Sequence, residues 1–108
     1  MSTSCPFCEL APTRVRWRSE LVSVFPDGYP VSPGHMLIVP HRHVATLFEA
    51  TRTERGALLE AVEVARSLIE RDHRPDGYNV GVNSGAAAGQ TVPHLHVHVI
   101  PRYRGDVR

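Results

Sequence analysis

The spacing of apolar positions changes along this 108-residue chain, and each change marks an element. Near the C-terminus, His94-Leu95-His96-Val97-His98-Val99 alternates strictly before Ile100 and Pro101. Successive side chains of an extended strand point to opposite faces. His94, His96 and His98 therefore share one face, and Leu95, Val97 and Val99 the other. The aliphatic face suits a core. Three buried imidazoles would each need polar partners, so the histidine face is expected to floor a site. Further upstream, His35-Met36-Leu37-Ile38-Val39 is almost continuously apolar before Pro40, as in a central strand covered on both sides. Val15 and Trp17, then Leu21 to Phe25, predict two short strands with Arg18-Ser19-Glu20 as the turn. Tyr78 to Asn83 predicts another. Its Asn79, Gly81 and Asn83 share a face, and the small Gly81 there suggests a close approach.

From Thr53 to about Asp72 the period becomes helical. Leu58, Ala61, Val62, Ala65, Leu68 and Ile69 form one apolar stripe. Thr53 suits the N-cap and Glu54 the first turn, and His73 to Gly77 stops the helix. A short helix is expected between Pro40 and Phe48. Asp27 to Gly34 is rich in turn residues. Ser84 to Thr91 is a loop of small residues whose backbone N–H groups can gather around phosphate oxygens. It matches neither a P-loop nor a dinucleotide fingerprint.

Length and composition describe one domain over residues 1–108. A net charge of +1 makes no electrostatic case for nucleic acid or a membrane as partner. No apolar run reaches membrane-spanning length. Met1 to Ser4 lacks the features of a signal peptide, so a cytoplasmic protein is expected, which argues against a stable disulfide. Cys5-Pro6-Phe7-Cys8 holds the only two cysteines. Their spacing leaves three readings open: half a zinc site, a redox pair, or no ligand. The redox reading lacks the preceding buried strand. The zinc reading needs two more ligands, and His41 and His43 are the nearest candidates.

The histidine alternation, preceded by Gly89-Gln90-Thr91-Val92, resembles the histidine triad (HIT) family of nucleotide-binding hydrolases and transferases. Pro33-Gly34-His35-Met36-Leu37-Ile38-Val39-Pro40 is similar to that family's central strand, and Phe25 and Asp27 precede it at the family spacing. The resemblance covers most of the chain. It implies an α+β fold with an antiparallel sheet of about five strands, one long helix and a short helix. It also implies a homodimer whose sheets join edge to edge. His96 is similar to the nucleophile, which attacks the α-phosphorus of an adenosine nucleotide derivative. The nucleotidyl-histidine formed is then hydrolysed by water, releasing AMP. The resemblance gives His98 a non-bridging phosphate oxygen and makes His35 the fourth active-site histidine. Gln90 and Thr91 would contact the phosphates and leaving group, and Asp27 the ribose hydroxyls. Phe25 would lie against the base, with Asn83 and Gly89 on the phosphate or ribose side. No metal enters this chemistry. In prokaryotic-type members with a similar cysteine pair, the resemblance implies a closed structural zinc held by Cys5, Cys8, His43 and His94, with His41 the alternative to His43.

Ser84, Pro93 and Ala86-Ala87-Ala88 depart from the family pattern around the leaving group. Dinucleoside polyphosphates and nucleoside phosphoramidates are therefore both candidate substrates. The tail Pro101 to Asp106 resembles that of dinucleoside polyphosphate hydrolases, in which the chain often continues further; Arg102 and Arg104 could meet a polyphosphate. Three other readings stand beside the hydrolase. They are a nucleotidyl transferase, a nucleotide-binding regulatory module with incidental turnover, and a zinc enzyme ligated by His94, His96 and His98.

Overall fold

A computed structural model describes residues 5–106. Five strands form one antiparallel sheet: β1 (Trp17–Arg18), β2 (Val22–Pro26), β3 (Met36–Pro40), β4 (Gly77–Val82) and β5 (Val97–Arg102). Their order across the sheet is β1-β2-β3-β5-β4. The nearly continuous apolar run becomes β3, paired to β2 on one side and β5 on the other and buried along its whole length.

One long helix, α1 (Arg52–Glu70), crosses β2, β3 and β5. Its stripe of Leu58, Ala61, Ala65 and Ile69 packs on Val22, Val24, Met36, Ile38, Leu95 and Val99. The helix begins two residues earlier than the Thr53 cap predicts. Thr51 is the N-cap: its hydroxyl accepts from the Glu54 N–H at 3.0 Å, and the Glu54 carboxylate accepts from the Thr51 N–H at 2.8 Å. This reciprocal capping box satisfies two orphan donors, which a cap at Thr53 would leave free. The short helix is confined to one 3-10 turn, Leu47–Glu49. The segment before it spends its backbone groups on other elements. The His41 N–H donates to Leu21 O at 2.8 Å, and Val44 O accepts from the Leu95 N–H at 2.7 Å.

The opposite face of the sheet carries a smaller cluster of Phe25, Leu37 and Val39, covered by Phe7 and Leu10 of the N-terminal segment. Every strand thus sends alternate residues to two unlike faces, a helix-covered core and a face that the N-terminal segment covers in part. Among the described residues β4 pairs only with β5 and leaves an open edge, on which Val80 is half exposed. Among the described residues no helix is long and apolar enough to cross a membrane.

Candidate functional site

The triad sits at the entry to β5 on the face opposite α1. The strand itself starts at Val97; His94 to His96 precede it, because the His94 N–H bonds to Val92 O and the Leu95 N–H to Val44 O instead of to a ladder. The alternation survives. Leu95 and Val99 enter the main core, while the His96 ring lies 5.0 Å from that of His98 and 5.1 Å from Phe7. The histidine face is more buried than the alternation suggests: His94 is fully buried and His96 is 5% exposed. Hydrogen bonds make that burial affordable.

Those bonds settle which nitrogen carries each proton. His96 Nδ1 lies 2.8 Å from the His94 carbonyl oxygen. A carbonyl can only accept, so Nδ1 is the protonated nitrogen and the Nε2 of the neutral ring keeps its lone pair. His35 Nδ1 accepts from the Val31 N–H at 3.0 Å, so its Nε2 bears the proton. That Nε2–H donates to His98 Nδ1 at 2.9 Å and lies 3.4 Å from Asp27 Oδ2. His98 Nδ1 is then an acceptor, and its Nε2–H is left as a donor. A single backbone amide, at Val31, therefore fixes two imidazoles in sequence. Burial lowers the pKa of His35, opposed by the Asp27 carboxylate. Burial, then the neighbouring His96 and His35, lowers that of His98, again opposed by Asp27. Both shifts favour the neutral rings this network requires.

His96, His98, His35 and Asp27 border a cavity of about 370 Å³ that also touches Phe25, Thr91, Phe7 and Arg14. A second cavity of similar volume lies at the C-terminal end of α1, behind His35, and contains none of the triad. Six of the expected residues thus meet around one space. Gln90, Gly89 and Asn83 do not line it. Gln90 is turned inward: its Oε1 accepts from the Gly85 N–H at 2.7 Å, and its Nε2 donates to Ala45 O at 2.6 Å and Val92 O at 3.0 Å. Gly89 ends the 3-10 turn Ala86–Ala88 at φ +94°, a conformation that favours glycine. A Cβ added there would lie 3.7 Å from Asn83 Nδ2. The loop thus shapes the chain entering the triad. Gly81 sits opposite His98 across the ladder, and a Cβ there would have open space around it among the described residues. Sequence reasoning passed over Phe7 and Arg14. Phe7 carries a signal, its place between the two cysteines; Arg14 carries none.

The cysteine pair meets His43 and His94 beside this cavity. Cys5 Sγ is 3.4 Å and Cys8 Sγ 3.6 Å from His94 Nδ1, Cys8 Sγ is 3.2 Å from His43 Nδ1, and the two imidazole Nδ1 atoms are 3.1 Å apart. Four donors bound tetrahedrally to one zinc would lie about 3.3–3.8 Å from one another. The observed separations fall close to that range. His94 Nε2 donates to Pro40 O at 3.0 Å, so its Nδ1 presents a lone pair to the cluster. Burial and the adjacent Cys5 push the Cys8 thiol pKa up, a cost that a cation would reverse. The residues fit a closed structural zinc. His41 does not join them: its Nε2 meets Ser23 Oγ at 3.0 Å and its Nδ1 donates to Glu20 O at 3.0 Å.

Asp27, His35 and His98 also bring three potential ligand atoms within 4.8 Å of one another. Here the tautomer argument is decisive. His35 Nδ1 already accepts a backbone N–H, so Nε2 must keep its proton and has no lone pair for a metal. The three triad histidines do not converge as ligands either. The Nδ1 of His94 faces the cysteines, that of His96 donates to a carbonyl, and that of His98 accepts from His35.

The HIT domain family model matches residues 9–105, a span that begins just after the second cysteine. A bis(5'-nucleosyl)-tetraphosphatase [asymmetrical] from Schizosaccharomyces pombe is 38% identical over 94 residues, 87% of this chain and 52% of that protein. An AP-4-A phosphorylase from Mycobacterium tuberculosis is 42% identical over 90 residues, 82% of this chain and 46% of that protein. The chain therefore spans about half the length of these curated relatives. Among solved structures, a Zn-bound histidine triad family protein from Mycobacterium smegmatis is 33% identical and superimposes with a TM-score of 0.86, covering 96% of this chain and 78% of that one.

Proposed function

The chain belongs to the HIT domain family, and from that premise we propose that it cleaves nucleotide derivatives at the α-phosphate through a covalent intermediate on His96. The observation that carries this reading is the 2.8 Å bond from His96 Nδ1–H to the His94 carbonyl. It holds the ring and leaves the Nε2 lone pair for attack on phosphorus, in the manner of an oriented nucleophile. In the first step an Nε2–P bond forms. The bond from phosphorus to the leaving group breaks, and the leaving group takes the electron pair. In the second, a water oxygen attacks phosphorus, the P–N bond breaks, its electrons return to Nε2, and the proton that water loses passes to the solvent. The His98 Nε2–H is the donor placed to stabilise a non-bridging oxygen in both steps. His35, held by Val31 and Asp27, positions His98. Asp27 accepts the ribose hydroxyls, with Phe25 and Phe7 along the base and Thr91 towards the phosphates. Gln90, with Asn83 and Gly89, acts by shaping the loop.

The names of the relatives, a bis(5'-nucleosyl)-tetraphosphatase and an AP-4-A phosphorylase, support dinucleoside tetraphosphates as the substrate class, with a nucleoside 5'-monophosphate as product, AMP where the nucleoside is adenosine. Nucleoside phosphoramidates meet the same chemistry. The Mycobacterium tuberculosis relative, named a phosphorylase, favours a second acceptor reading, in which inorganic phosphate replaces water in the second step.

Cys5, Cys8, His43 and His94 would hold a structural zinc, as the relative from Mycobacterium smegmatis binds that metal. Its contribution is a cross-link from the N-terminal segment to the triad; it takes no part in making or breaking bonds. A second copy of the chain joins across the open edge of β4, where Val80 is exposed.

The test is release of AMP from diadenosine tetraphosphate and adenosine 5'-phosphoramidate by wild type and His96→Ala, with AMP binding measured in parallel. The reading requires turnover by wild type, at least about 10³-fold less by the variant, and AMP binding by both. Full activity in His96→Ala overturns it.

A further inference from the structure

We propose that Arg14 reads the nucleobase and gives this chain a preference for guanosine over adenosine nucleotides. The inference rests on the reading of the cavity as a nucleoside 5'-phosphate site and refines its substrate class. The aromatic contacts run in order through the cavity. The His96 ring meets Phe7 at 5.1 Å, Phe7 meets Phe25 at 5.5 Å, and the guanidinium carbon of Arg14 lies 5.3 Å from the Phe25 ring centroid. Arg14 therefore occupies the aromatic end of the cavity, where a base would lie, with the phosphate chemistry at the histidine end.

The guanidinium is held there. Its Nη2 donates to Pro26 O at 3.1 Å, and it rests on an aromatic face, an attractive arrangement for a cation. Gly28 lies beside it: a Cβ at that position would be in ordinary contact with Nη2, at 3.6 Å. A guanidinium carries five N–H donors and no acceptor. Only one side-chain hydrogen bond of Arg14 is made among the described residues, so donors remain. Among the described residues the neighbouring carboxylate does not pair with Arg14: Asp27 Oδ1 accepts from the Tyr29 N–H at 2.9 Å and Oδ2 faces His35.

A group that only donates selects bases that present acceptors. Guanine offers O6 and N7 side by side, the usual partner of an arginine fork. Adenine offers N7 beside an N6 amino group, which is itself a donor. Because Arg14 is exposed, a value in the lower half of the usual discrimination applies, roughly tenfold in favour of guanine. Because Arg14 is remote from phosphorus, the preference should reside in KM more than in kcat.

The experiment compares guanosine and adenosine 5'-phosphoramidates as substrates, and GMP and AMP as ligands by calorimetry, for wild type, Arg14→Ala and Arg14→Lys. The expected result is a guanosine preference of about tenfold in wild type that falls to near unity in Arg14→Ala, through loss on the guanosine side. Arg14→Lys, which keeps the charge without the fork, should recover only part of it. A purely structural role would weaken both nucleotides together and leave the ratio unchanged. Equal or adenosine-favouring constants in wild type, or a guanosine preference that survives Arg14→Ala, overturn the inference. If wild type turns over neither these phosphoramidates nor diadenosine tetraphosphate, the hydrolase reading fails alone: a GMP-over-AMP binding ratio that depends on Arg14 still supports this one. Absence of binding by both nucleotides ends both.

Discussion

At the scale of single residues, the site depends on backbone groups that no pattern of side chains announces. The carbonyl of His94 and the amide of Val31 set the protons of His96 and His35, and through His35 that of His98. Gln90 belongs to the same scale. Its side chain satisfies one N–H and one carbonyl of the loop that leads into the triad, at Gly85 and Val92, and ties that loop to the Ala45 carbonyl. Gln90→Ala should cost about 1–3 kcal/mol of stability in urea unfolding, from the groups left unpaired. Gln90→Glu should be no better, because a carboxylate cannot donate to Ala45 and Val92. Gly34 precedes His35 at φ +93°, and a Cβ there would lie 2.9 Å from the His73 ring. Gly34→Ala should therefore destabilise the protein by about 1–3 kcal/mol, and should lower turnover by shifting the start of the strand beside His35. The alternation of His94, His96 and His98 made the triad legible from sequence. The partners that orient it were not legible, because they are main-chain atoms of distant segments.

At the scale of elements, periodicity located the strands and the helix, and local hydrogen bonding decided their ends. α1 is capped by Thr51 and not Thr53 because Glu54 closes a capping box there, and that carboxylate also takes two bonds from Arg42, at 2.8 and 3.0 Å. These contacts hold Glu54 far below its ordinary 4.5, to about 2; the Arg42 bond is the largest cause and the Thr51 amide the next. A carboxylate with a depressed folded-state pKa contributes stability that is fully present above the unfolded value and is lost as pH falls through the folded one. Wild type should therefore exceed Glu54→Gln by on the order of 2 kcal/mol at pH 7, a figure moderated because Arg42 is half exposed. The gap should narrow between pH 4.5 and pH 2. Denaturant melts of both proteins at pH 7, 4 and 2.5 check this, and a gap independent of pH would refute the ion-pair origin. Pro40 to Phe48 looked helical in sequence. Its backbone instead pairs with Leu21 and Leu95, a long-range choice invisible to a local window.

At the scale of the whole molecule, the two faces of the sheet divide the labour. α1 seals one face, and the N-terminal segment brings Phe7 and the cysteines to the other, beside His96. The resemblance to a known family carried the pairing of Cys5 and Cys8 with His43 and His94, since 35 or more residues separate each histidine from its cysteine. Zinc analysis of protein purified without chelator should find one equivalent per chain. Cys5→Ser, or stripping by a strong chelator, should lower Tm by roughly 10 °C, the equivalent of a few kcal/mol. It should also weaken nucleotide binding through the freed Phe7. Zinc-free protein with both thiols freely titrating and an unchanged Tm would contradict the metal centre.

The most direct test of the central claim, covalent catalysis by His96, is the stereochemistry at the α-phosphorus of a nucleotide substrate made chiral with sulfur and oxygen isotopes. Attack by His96 and then by water inverts the phosphorus twice, so the account requires net retention. Net inversion would mean that water displaces the leaving group directly, and that His96 is not the nucleophile.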